Sequence, residues 1–85
     1  MDNNKFLKLC EKIVKDYFND ISGATKICED DVLIVWSCKT LQNNKALVST
    51  KIPDGVYYEI THNGDKNETY VDVYKKWDKF VVKND

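Results

Sequence analysis

Phe6, Leu9, Cys10, Ile13, Val14, Tyr17 and Ile21 recur three and four positions apart, the spacing that gathers side chains on one face of an α-helix. Lys8, Glu11, Lys12, Lys15, Asp16 and Asn19 fall on the other side, and Leu7 and Phe18 widen the apolar face. Asn3 or Asn4 can cap the start and Ser22-Gly23 can end it, so a helix is expected over about residues 4–21. A helix with one wide apolar stripe needs a second layer on which to bury it. A chain of 85 residues has room for one domain and one core, so the rest of the sequence must supply that layer.

It reads as strands. After a connector ending in Glu29-Asp30-Asp31, the run Val32-Leu33-Ile34-Val35-Trp36 is rich in branched and aromatic side chains and continues to Leu41. That composition suits a strand, central over its first half and half-exposed later. Gln42-Asn43-Asn44 is turn material, and Lys45 to Ile52 alternates Ala46, Val48, Thr50 and Ile52 against Lys45, Leu47, Ser49 and Lys51. Pro53-Asp54-Gly55 marks a turn, Val56 to His62 a third strand, and Asn63-Gly64 a further hairpin.

From Thr69 the pattern divides. Val71 and Val73 alternate with Tyr70, Asp72 and Tyr74, while Tyr70, Tyr74, Trp77 and Val81 also fit a helical stripe. Residues 70–82 therefore end as strand or as helix. The favoured reading is a strand to about Lys75, a break at Trp77-Asp78-Lys79, and a short strand from Phe80 to Val82. The fold class expected is α+β. An amphipathic helix packs on a three- to four-stranded antiparallel meander over about residues 31–82, a two-layer sandwich of cystatin-like layout in a single domain of residues 1–85. Layout does not transmit function.

Composition narrows the function. All thirteen basic residues are lysines, and fourteen acids leave a net charge of −1. Without arginine the chain lacks the planar fork that grips phosphates and guanine edges, and its charge attracts neither nucleic acid nor anionic lipid. No duplex nucleic acid is expected as a partner. No apolar run approaches the ~20 residues of a membrane span, and the start lacks the basic head and apolar run of a signal peptide. Cys10, Cys28 and Cys38 are odd in number and widely spaced, which suits a reduced, cytoplasmic protein with its thiols mostly buried.

Chemistry has little to stand on. The single histidine, His62, lies beside the Asn63-Gly64 turn with no nucleophile or acid placed by spacing, and reads as a solvated hairpin residue. Cys10, Cys28, Cys38 and His62 lack the close pairs of a zinc site, and the acidic triplet lacks the alternation of a calcium loop, so neither a metal nor another cofactor is expected. Gly23, Gly55 and Gly64 are isolated and form no phosphate-cradling loop. No enzymatic activity is expected.

What stands out is Tyr57, Tyr58, Tyr70, Tyr74, Trp77 and Phe80 within twenty-four residues. A pleated strand sends Tyr57 and Tyr58 to opposite faces. With Tyr58 and Ile60 joining Val71 and Val73 inside, Tyr57, Tyr70 and Tyr74 share the outer face with Glu59, Thr61 and Asp72. Exposed tyrosines serve as cross-strand staples or as binding hot spots. Tyr57, Tyr70, Tyr74 and Trp77 are therefore the candidate binding residues.

The run Val35-Trp36-Ser37-Cys38-Lys39-Thr40-Leu41-Gln42-Asn43, then Pro53-Asp54-Gly55-Val56-Tyr57-Tyr58-Glu59-Ile60, Asn63-Gly64-Asp65-Lys66 and Tyr70-Val71-Asp72-Val73-Tyr74-Lys75-Lys76, resembles a functionally uncharacterised family. Its members are small proteins encoded by phages and prophages of Gram-positive bacteria. The resemblance covers roughly residues 29–76 and carries no catalytic residues. It implies an accessory protein, cytoplasmic in the host cell, that binds and inhibits or redirects a host or defence protein. The alternative is a small-ligand binder that sequesters a nucleotide-like signal by stacking on aromatics. A strand edge also offers a route to homo-oligomers.

Overall fold

In a computed structural model, which describes residues 1–84, the apolar stripe forms a helix, α1, over Asn3–Ser22. The cap is Asp2, ahead of both expected asparagines; its carboxylate accepts from the Asn4 amide at 3.1 Å. A carboxylate there also meets the positive end of the helix dipole. Gly23 ends the helix at φ 73°, a conformation that costs a glycine little.

The residues α1 buries are Phe6, Cys10, Val14 and Phe18, while Tyr17 and Ile21 are exposed. Steps of four overshoot a 3.6-residue turn by about 40°. The contact line thus winds round the helix as it crosses a twisted sheet, taking in Phe18 where the sequence pattern pointed to Tyr17 and Ile21. Beyond α1, Asn19 holds the connector: its side chain bonds the Ile27 amide and carbonyl at 2.8 and 2.9 Å, and Ile27 is buried.

Four strands follow, β1 (Val32–Thr40), β2 (Asn43–Thr50), β3 (Val56–Asn63) and β4 (Glu68–Lys75), antiparallel in the order β1-β2-β3-β4. The fold is one helix on an open four-stranded antiparallel sheet. β1 is an edge strand throughout, against the expectation that its first half is central. Its run reads as doubly buried, yet only Val32 is buried: Leu33 faces the uncovered side of the sheet, and a bulge between Ile34 and Trp36 takes Val35 out of register. Bulges of this kind bend an edge away from further pairing.

The inner strands carry the core. Asn44, Ala46, Val48 and Thr50 of β2 and Tyr58, Ile60 and His62 of β3 alternate inward and are buried. α1 lies over β1, β2 and β3 and leaves β4 largely uncovered. Val71 and Val73 pair with Ile60 and Tyr58 as the alternation requires, but they stay 37% and 44% exposed because the helix does not reach them. Two hairpin tips touch: a Cβ on Gly64 would collide with the Gln42 carbonyl oxygen, so only glycine fits there.

Three further expectations are corrected. Past Lys75 the chain is neither strand nor helix: the Lys76 amide donates to the Gly55 carbonyl at 2.7 Å, and Phe80–Val82 then runs without a strand beside it. His62 is buried, not solvated, with Nδ1 3.0 Å from the Thr69 hydroxyl, because its place in the alternation faces inward. Of the thiols only Cys10 is buried, and burial pushes its pKa up to about 12; Cys28 and Cys38, at a loop and on the outer face of an edge strand, are exposed.

The winding stripe predicts where the helix is held. Phe6→Ala should cost about 3–5 kcal/mol in urea unfolding, and Ile21→Ala should stay within about 0.5 kcal/mol. Equal losses at the two positions would place the contact line elsewhere.

Candidate functional site

An antiparallel sheet covered on one face only leaves the other face open. Here the outer face is formed by alternate residues of all four strands, and no second layer among the described residues lies on it. The register assembles it row by row. Tyr57 lies directly opposite Tyr74, Thr61 opposite Tyr70, and Trp36 opposite Leu47. Trp36 is 44%, Tyr70 44% and Tyr74 51% exposed, while Tyr57, flanked on both sides, is half-buried.

Between the tyrosine rows runs a charged one. Leu47 faces Glu59, and Glu59 faces Asp72 across β3 and β4. Like charges directly opposite one another destabilise a sheet. One cation lies near: the Lys45 ammonium stands 3.6 Å from the Glu59 carboxylate. Tyr70 donates its hydroxyl to Glu68, which pushes the phenol pKa up and adds a third carboxylate at the margin. The outer face therefore sets Tyr57 and Tyr74 on one side of an acidic row and Tyr70 on the other, with Trp36 at that row's far end.

Three of the four candidate residues, Tyr57, Tyr70 and Tyr74, lie together on this face. Trp77 does not join them; it stands 99% exposed in the segment beyond β4. Trp36 and Leu33 are the residues that the sequence reading missed. Alternation signals Leu33 alone, hidden because a continuous apolar run looks buried on both sides, whereas Trp36 reaches this face only through the bulge.

Elsewhere chemistry is sparse. A shallow hollow of about 230 Å³ is lined by Cys38, Thr40, Asn43, Asn44, Lys45 and Thr61, with no aromatic ring to stack a base. Among the described residues, no three His, Cys, Asp or Glu side chains cluster as metal ligands, and no helix is long and apolar enough to cross a membrane. Asp31, which accepts from the Cys28 amide at 3.0 Å and from its thiol, has its pKa lowered by those bonds and closes a one-turn cap.

The chain belongs to DUF6275, a family of unknown function, whose model matches residues 7–84. Neither curated proteins nor solved structures give a match.

The opposed carboxylates make a quantitative prediction. Asp72→Lys should stabilise the fold by about 0.2–1 kcal/mol at low ionic strength by turning repulsion into attraction. The gain should shrink as salt is added. A loss of stability, or a gain indifferent to salt, would show that Glu59 and Asp72 do not oppose each other.

Proposed function

We propose that this member of DUF6275 is a phage-encoded accessory protein that acts without catalysis, binding a host or defence protein through the outer face of its sheet. The observation that carries the proposal is the pairing of Tyr57 with Tyr74 beside that of Glu59 with Asp72. Tyrosine offers large, rigid contact area with a polar tip and is enriched in hot spots. An under-neutralised acid pair between the tyrosine rows favours a partner that presents a lysine or arginine there. Retaining a destabilising charge pair on an open face fits a surface whose purpose is binding.

The reading as a binder of small, nucleotide-like ligands gains no support from the site. Its tyrosines form a flat surface, and the hollow beside them lacks both rings and clustered cations.

Affinity capture from the lysate of a Gram-positive host, with mass spectrometry, tests the proposal. The unaltered chain should retain a discrete protein partner, and the double variant Tyr70→Ala/Tyr74→Ala should lose it. Asp72→Lys should weaken capture while raising stability. The two tyrosine pairings together are worth about 1 kcal/mol, so the double variant should melt within about 8 °C of the parent. Undiminished capture by the double variant, or its collapse at far lower temperature, would overturn the assignment of this face.

A further inference from the structure

Among the described residues, two apolar surfaces have no occupant, and both lie beside β4. The first is a groove on the inner face. Its floor is Val71 and Val73, and its wall is the flank of α1 that carries Leu9, Ile13 and Tyr17 at intervals of four. Tyr17 fixes that flank in place: its ring stands edge-on to Tyr58, centroids 5.9 Å apart, and Tyr58 is the partner of Val73 in the sheet. The second surface is the segment after β4, where Trp77, Phe80, Val81 and Val82 are 99%, 82%, 76% and 72% exposed. A short segment with four large apolar side chains in water is the kind of patch that marks an interaction site.

The edge between them is open. β1 is bent by its bulge, whereas β4 is eight residues of regular strand with its free side unpaired and Tyr70, Val71, Val73 and Tyr74 along it. An exposed, flat, apolar edge is a template for another strand. The radius of gyration, 14.5 Å, also exceeds the roughly 12 Å of a compact chain this long.

We infer that two copies of this chain form a two-fold dimer. Their β4 edges pair antiparallel into one eight-stranded sheet, and the segment of residues 77–84 of each copy lies in the groove between α1 and β4 of the other. An isologous contact suits the antiparallel edge, since a strand paired with its own copy satisfies both sets of backbone groups at once. The area suffices. An aromatic side chain buries about 150–250 Å², so Trp77 and Phe80 from both copies, with four valines and two strand edges, reach the ~1,200–2,000 Å² of a stable interface. The outer face remains free on both copies, so this inference stands independently of the proposed partner.

Sedimentation velocity on the full chain tests it. The expected mass is twice 9.9 kDa, and truncation after Lys76 should return a folded monomer, since residues 77–84 contribute nothing to the core. Trp77→Ser/Phe80→Ser and, separately, Val73→Lys should also dissociate the dimer, with the helical circular dichroism retained. In mixed isotope-labelled samples, intermolecular contacts should join the Trp77 ring to the Val71 and Val73 methyls. A monomer at about 100 μM, a dimer indifferent to truncation and to both variants, or contacts between these groups only within one chain would each overturn the inference.

Discussion

The structure depends on the contact between one helix stripe and two strands. Phe6, Cys10, Val14 and Phe18 lie on the inward residues of β2 and β3, Ala46, Val48, Tyr58 and Ile60, and almost everything fully buried belongs to this contact. A core this small has no reserve. Each buried aromatic carries a few kcal/mol, and the net stability of a domain is only about 5–15 kcal/mol. The packing also decides which surfaces stay open. One helix covers one face of the sheet only, and is too narrow to reach all four strands, so the outer face and the inner flank of β4 are both left to water.

Those two surfaces differ in chemistry. The outer face mixes rings with a carboxylate pair and one lysine, a composition that tolerates water and selects a partner by charge. The β4 flank presents Val71 and Val73, and the segment after it mixes four large apolar side chains with lysines, so contact there rests on Trp77, Phe80, Val81 and Val82. A hetero-partner on the first and a second copy on the other would together give a protein that presents two binding faces, with the gain in avidity that follows.

Much of the fold was legible because the sequence keeps two clean periods. Helix spacing over residues 6–21 and strict alternation in β2 and β3 fixed the element order, and Gly23, Pro53-Asp54-Gly55 and Asn63-Gly64 fixed its breaks. What misled were residues whose type points one way and whose place points another. Val32-Leu33-Ile34-Val35-Trp36 has the composition of a central strand, but composition does not reveal a bulge or sheet order. His62 lies near a hairpin tip yet faces inward, because alternation outranks proximity to a turn. Phe80–Val82 has strand composition but pairs with no strand among the described residues. The outer tyrosines were legible from parity alone, whereas Trp36 was not, since it takes its outward place only after the bulge.

The central claim is that the sheet has one buried face and one open face, with Tyr58 on the first and Tyr57, Tyr70 and Tyr74 on the second. Relaxation of tyrosine ring protons by a soluble paramagnetic probe measures this directly. Tyr70 and Tyr74 should be strongly broadened, Tyr57 intermediate, and Tyr58 protected, in the full chain and in the chain truncated after Lys76 alike. Protection of Tyr70 and Tyr74 equal to that of Tyr58 in the truncated monomer would mean that the outer face is covered, and would contradict the account.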